Sequence, residues 1–446
     1  MALATLAFLV FAWREALAPI DPPAVSGFDP SSIERGAQLA ALGDCITCHT
    51  TSGGHAFAGG RAIPTPFGTI YSTNITPDPS TGIGRWSRDA FARAMREGVD
   101  RQGKHLYPVF PYDHFTLITD ADIEALYAFF MTRPPVRAQT PTNTIPFPLG
   151  FRPLLAGWKL LFFRQGRFRA DPGHDAAWNR GAYLVEAVAH CGACHTPRNG
   201  LGAEKEGEHF AGGEVESWHA YAMNASSQSP MPWSVDAMEF YLRHGWQASH
   251  GVARGPMAPV TENVAVVSAA DMRAVASYVV VGMGKPSAER VQRAAAIAGD
   301  PTAGVAAGTI ATADKDGARI YAAACAGCHE GSAPLPFGGM NLALRIGIAG
   351  EDPTNLLHIV LDGLPAIGES QQPIMPGFRK TLSNQQLISL LTYLRSRFAG
   401  KPLWTNLQAA IRHDANTVAL PLAPSEAPPQ QPPQAQPTDA RTGDSR

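Results

Sequence analysis

The chain has 446 residues, a length that suggests about three domains. Hydrophobic residues make up 45% of it, enough for packed cores, which excludes intrinsic disorder for most of the chain. Charged residues are 17% and the formal net charge is −2, so there is no basic field for nucleic acid. The 43 glycines and 38 prolines suggest short elements joined by long ordered loops. Six cysteines are too few for a disulfide scaffold.

Residues 2–13 are apolar throughout. As a helix they would span about 18 Å, short of the ~30 Å hydrocarbon core of a bilayer. No positive n-region precedes them, and Pro19 follows the cleavage-like Ala16-Leu17-Ala18 directly. Two readings stay open for residues 1–25: a signal or uncleaved anchor whose start lies upstream, or a buried helix.

The six cysteines fall into three pairs: Cys45-Ile-Thr-Cys48-His49, Cys191-Gly-Ala-Cys194-His195 and Cys325-Ala-Gly-Cys328-His329. Each is C-x-x-C-H, the attachment signature of c-type haem. Two thiols one helical turn apart can each form a thioether to a haem vinyl group, and the adjacent His reaches the iron as proximal ligand. A zinc ribbon would need four cysteines in one small unit, whereas these pairs lie more than a hundred residues apart. The expected cofactors are three covalently bound haem c groups.

The chain repeats itself around each motif. Short helices lead in at Arg35-Gly36-Ala37, Arg180-Gly181-Ala182 and Gly317-Ala318-Arg319. Closing helices start at capping boxes: Thr119 with Asp122, Ser268 with Asp271, Ser383 with Gln386. Apolar residues then recur at helical spacing, so one face of each is expected to be buried. Between them, a middle helix ends at Gly98, Gly245 and Gly363.

Twelve residues beyond the last two glycines stand Met257 and Met375, each in a Pro-flanked loop ahead of the closing helix. They are the expected distal iron ligands. The same count from Gly98 lands on Phe110, which cannot ligate iron. The first iron is left with His114, His105, Met95, Met131 or no protein ligand, and the missing methionine favours His114. A second imidazole would lower that haem's potential relative to the His/Met pair.

The expected fold is mainly α: three tandem class I cytochrome c domains with long ordered loops and linkers. They are placed at 26–134, 175–284 and 313–400, with linkers at 135–174 and 285–312. The first linker contains the aromatic and basic run Phe151 to Arg164, suited to a membrane surface or to packing on a neighbour. The second is Ala/Gly-rich and reads as a spacer. Within 401–446, Trp404 to His413 suggests a short amphipathic helix, and the Pro/Gln-rich tail from Pro421 is expected to be disordered.

Over residues 27 to 405 the pattern resembles the trihaem cytochrome c subunits of membrane-bound periplasmic dehydrogenases for alcohol, gluconate and fructose. Most of those carry Pro-Ala-Met-Pro-Tyr in the first domain, where this chain has Pro108-Val-Phe-Pro-Tyr112-Asp-His-Phe115. That variant resembles the cytochrome subunit of nicotinate dehydrogenase. The resemblance implies molybdopterin and [2Fe–2S] partner subunits, a quinone or terminal oxidase acceptor, and a place on the periplasmic side of the inner membrane. It also implies an electron-transfer subunit with no catalytic residues of its own. No dinucleotide fingerprint, catalytic triad or iron–sulfur cysteine run is present. The competing readings are a haem enzyme or small-ligand binder through an open first iron, and a free-standing carrier.

Overall fold

The computed structural model describes residues 2–300, 314–330, 340–365 and 374–416. Among the described residues the architecture is mainly helical, with three two-stranded antiparallel hairpins. The Pro/Gln-rich tail lies outside the described residues.

After helix α1 (Ala2–Ala12), the first unit contains α2 (Pro30–Leu42), α3 (Cys45–Cys48), the hairpin β1–β2 (Ala62–Thr65, Gly68–Tyr71), α4 (Arg88–Glu97), α5 (Tyr112–Phe115) and α6 (Asp120–Met131). Helix α7 (Leu154–Phe162) falls in the expected first linker and packs on α1.

The second unit repeats the order. Helix α8 (Ala176–Tyr183) continues into a π-helical stretch, Leu184–Val188, before α9 (Gly192–His195). There follow β3–β4 (Gly213–Val215, Trp218–Ala220), α10 (Val235–His244), β5–β6 (Trp246–Gln247, Gly251–Val252), α11 (Met257–Asn263) and α12 (Ala269–Gly282).

Helix α13 (Ala288–Gly299) occupies the first half of the expected spacer, and residues 301–312 of that stretch lie outside the described residues. Ser287 caps it through the Arg290 amide and Glu289 pairs with Arg293 one turn on. Its Ile297 is buried in the core of the third unit. That unit comprises α14 (Lys315–Ala324), α15 (Ala326–His329), α16 (Ile346–Ala349), α17 (Thr354–Asp362) and α18 (Asn384–Ala399), followed by α19 (Leu407–Asn416).

Capping explains where these helices begin. An aspartate starts each leading helix: Asp29, Asp175 and Asp314 accept from the amides of Ser32, Trp178 and Gly317. Thr119, Ser268 and Ser383 cap the closing helices, as their spacing predicts. Only Ser383 completes a reciprocal box with Gln386. Asp122 and Asp271 instead bind Arg35 and Arg180 on the leading helix of their own unit. The middle helices α4 and α10 stop at Gly98 and Gly245, both left-handed at φ 61° and 72°.

Leading and closing helices pack as α2 on α6, α8 on α12 and α14 on α18. A glycine sits at each crossing. A Cβ on Gly36, Gly181 or Gly317 would lie 2.0, 2.2 or 2.1 Å from the carbonyl oxygens of Ala125, Ala274 and Ser389. The backbones therefore meet without an intervening side chain.

One continuous buried cluster runs from Leu39 in the first unit to Val279 in the second. The third unit has its own, from Ile297 to Ile411. The first two units are thus fused through their cores, whereas the third keeps a separate core against which Met231 of the second unit packs, with further contacts described below.

Candidate haem sites

Each C-x-x-C-H motif forms a single helical turn at the end of a leading helix. Cys45, Cys48, Cys191, Cys194, Cys325 and Cys328 are all unpaired thiols. Burial pushes Cys45, Cys48 and Cys191 up to about 12 and Cys194 to about 11, so they are neutral at physiological pH.

Two of the three expected proximal histidines, His49 and His195, are oriented by backbone carbonyls. The Nδ1–H of His49 donates to the Thr73 carbonyl at 2.7 Å, and that of His195 to the Tyr221 carbonyl at 2.7 Å. This fixes the tautomer and leaves Nε2 as the free lone pair, the arrangement an iron-binding imidazole needs. Burial lowers the pKa of His49, His195 and His329, keeping the rings neutral. The donor set therefore fits covalently attached haem: two unpaired thiols and an oriented, neutral imidazole on one turn.

The first two motifs adjoin each other. Cys194 of the second motif lies near enough to Cys48 of the first to add to its upward pKa shift. Asn263 of the second unit donates to Asp44 at 2.6 Å, and Arg61 pairs with Glu216 at 2.6 Å. The fused core and this seam hold two attachment loops side by side.

The third unit reaches the second through Asn355 on α17. Its amide donates to the His219 carbonyl and its oxygen accepts from the His219 amide, at 2.8 and 2.9 Å. Trp218 stacks edge-on with His358, their ring centroids 4.6 Å apart. His219 lies two residues before Tyr221, whose carbonyl holds His195.

Met257 is the first residue of α11, half-buried, close after Gly255. Met375 bridges to Leu364 in an antiparallel pair and packs against the third core. Both stand between a middle and a closing helix.

The structure ties His114, the favoured ligand of the first iron, to the second unit. It is buried, but its Nδ1 donates to the Glu186 carbonyl at 2.8 Å and its Nε2 bonds Glu204 at 2.7 Å. Both partners belong to the second unit. His105 is likewise committed, to the Ala12 carbonyl at 2.8 Å and to Lys159 at 3.1 Å. Met95 and Met131 lie in the shared core, with Phe110 packed against it. No local pattern signals the Glu204 partner, ninety residues away from His114.

The turn geometry and donor chemistry define a c-type cytochrome. Comparison with known proteins agrees. The family described as "Cytochrome c" matches residues 33–134, and "Cytochrome C oxidase, cbb3-type, subunit III" matches 312–394. The chain is 34% identical over 429 residues to the fructose dehydrogenase cytochrome subunit of Gluconobacter japonicus, covering 92% of this chain and 88% of that one. It is 38% identical over 390 residues to the gluconate 2-dehydrogenase cytochrome c subunit of Pantoea cypripedii, covering 81% and 85%. A nicotinate dehydrogenase subunit of Pseudomonas putida is 47% identical over 399 residues, covering 89% of this chain. The chain spans only 33% of that longer protein.

The chain belongs to the family of cytochrome c subunits of dehydrogenases. Its domains bind haem c covalently, and its function is electron transfer within a dehydrogenase complex.

Proposed function

We propose that the chain is a trihaem subunit that carries electrons from a periplasmic molybdopterin and iron–sulfur dehydrogenase of the nicotinate type to the respiratory chain. The observation that carries the count is the threefold occurrence of one C-x-x-C-H turn, each at the end of a glycine-clamped helix pair. Three cytochrome c domains at 26–134, 175–284 and 313–400 follow from the same repeat. The 47% identity to the nicotinate dehydrogenase subunit and the Pro108–Phe115 segment support the partner type.

Haem c bound at these sites supplies a one-electron iron couple. The chain's own residues do the rest: the Thr73 and Tyr221 carbonyls orient His49 and His195, and the seam at Asp44 and Asn263 keeps two attachment loops adjacent. Met257 and Met375 are assigned as the distal ligands of the second and third irons. A thioether favours the reduced iron and raises the potential. Electrons leave to a quinone or a terminal oxidase.

No helix among the described residues is long and apolar enough to cross a membrane. Attachment to the periplasmic face of the inner membrane is assigned instead to α1 with α7, which expose Leu3, Leu6, Val10, Leu160 and Leu161.

The test is haem stoichiometry on the matured protein, by pyridine haemochrome and intact mass, followed by co-expression with the candidate catalytic subunits. Three haems per chain and reduction on adding nicotinate are expected. Two haems would overturn the count, and reduction only with a quinoprotein or flavoprotein partner would overturn the partner type.

A second reading is favoured by one observation: both histidines near Phe110 are fully hydrogen-bonded. An open first iron would bind a small ligand. Carbon monoxide binding to about one reduced haem per chain supports that reading, and a spectrum unchanged by the gas rejects it.

A further inference from the structure

The seam between the first two units gathers Asp113, His114 and Glu204, whose ligand atoms all lie within 4.8 Å of one another. We propose that this cluster is a binding site for a divalent transition-metal cation of the zinc type, distinct from the haem irons.

The donor set is one imidazole and two carboxylates. Imidazole selects zinc-like cations over magnesium and calcium, which prefer all-oxygen ligands. Three protein ligands with one position open to water is a familiar zinc arrangement. The Glu204 side chain is 20% exposed, so water and metal can reach the cluster.

The orientation of His114 is the second observation. Its Nδ1–H is held by the Glu186 carbonyl at 2.8 Å, the backbone anchor that metal-binding histidines commonly have. Nε2 therefore faces the carboxylates, 2.7 Å from Glu204. A cation bonded to each ligand at ~2.1 Å holds them roughly 3–4 Å apart, a shift of under about 1 Å for these side chains.

The position also favours positive charge. Burial disfavours a charged His114, yet the Glu204 hydrogen bond and the Asp113 and Glu204 charges outweigh it and raise its pKa to about 9. A metal ion would take the place of that proton. Arg198 is a competing cation whose charge acts on Glu204, and its guanidinium is committed to the Gly202 and Ala193 carbonyls at 2.7 Å each. His209 pairs with the Glu186 carboxylate at 3.0 Å instead of entering the cluster.

The location gives the site a consequence. A Cβ on Gly192, between Cys191 and Cys194, would stand 2.9 Å from Cε1 of His114. A doubly charged cation in place of one proton adds positive charge beside the second attachment loop. Positive charge favours the reduced, less positive iron, so one haem potential should rise while the others hold.

The experiment uses the haem-loaded full chain, dialysed against chelator and titrated with zinc chloride by calorimetry and by equilibrium dialysis with elemental analysis. One zinc per chain at micromolar affinity is expected, with at least tenfold weaker binding in Glu204→Gln and Asp113→Asn, and one haem midpoint moved upward in wild type alone. Absence of stoichiometric binding, or equal affinity in both variants, overturns the proposal. Should a variant fail to mature, anomalous diffraction at the zinc edge on wild-type crystals decides. A peak between His114 and Glu204 supports the site, and zinc found only elsewhere rejects it.

Discussion

Asp44, the residue ahead of Cys45, accepts a 2.6 Å hydrogen bond from the Asn263 amide of the second unit. It also accepts one from the Thr47 hydroxyl at 2.6 Å, from a left-handed backbone at φ 49°. Burial is the larger influence and raises its carboxyl from 3.8 to about 6. The folded state thus holds this proton more tightly than the unfolded chain. The resulting stabilisation is complete below the unfolded value and is lost as pH rises through about 6. Asparagine keeps the accepting oxygen without the charge. Asp44→Asn should stabilise the protein at neutral pH by on the order of 2 kcal/mol and flatten this part of the pH profile. Chemical unfolding followed by circular dichroism across pH 4–7 checks it, and an unaltered slope would refute it.

The glycines at the helix crossings make a stronger structural claim. Alanine at Gly36, Gly181 or Gly317 puts a methyl about 2 Å from a backbone carbonyl, with a second clash at Phe129, Tyr278 or Tyr393. Neither obstacle is the end of a flexible side chain, so the helices must separate. Each substitution should cost about 3 kcal/mol or more. Gly317→Ala should melt the third unit alone, because its core is separate. Gly36→Ala should lower the melting of the first two units together, through their common cluster. Calorimetry resolves the transitions; a broad loss from Gly317→Ala would contradict the separate core.

The local part of this arrangement was legible in the chain. The C-x-x-C-H turns, the Thr119, Ser268 and Ser383 caps and the glycine helix stops all depend on residues within a few positions of each other. The crossing glycines were visible as repeats, but their meaning depends on carbonyls about 70 to 95 residues away, which no local pattern encodes. The surroundings of His114 are hidden from the sequence for the same reason. The count from Gly98 lands on Phe110 and leaves His114 favoured by the missing methionine, while its hydrogen-bond partners, Glu186 and Glu204, sit in another unit. Ala/Gly content concealed α13, although Ser287 and the Glu289–Arg293 pair already marked a helix start.

The distal assignments separate Met257 from Met375 experimentally. Under the proposed assignment each thioether–iron bond would contribute its own charge-transfer band in the oxidised spectrum and favour the reduced iron. Met375→Ala should abolish one such band and lower one midpoint potential, leaving the other two in place. Met257→Ala should do the same at a different haem. Met95→Ala and Met131→Ala should change stability through the core while sparing both bands. A band lost in either of these last two variants would reassign the first iron's ligand to that methionine.

The clasp between Asn355 and His219 joins the third unit to the segment that orients His195. Asn355 is 8% exposed and satisfies both backbone groups of His219, as a neighbouring strand would. A leucine there keeps the volume and leaves a donor and an acceptor without partners. That loss should cost roughly 1–3 kcal/mol. The effect has a direction along the chain: the freed residue lies two positions from Tyr221, so loosening should reach the Tyr221–His195 hydrogen bond. Asn355→Leu should therefore speed amide exchange from Trp218 to Tyr221 by at least tenfold, with the β1–β2 hairpin of the first unit unaffected. Exchange mass spectrometry on the haem-loaded protein reads this directly. Equal exchange in the two proteins would mean that the third unit does not brace the second proximal histidine.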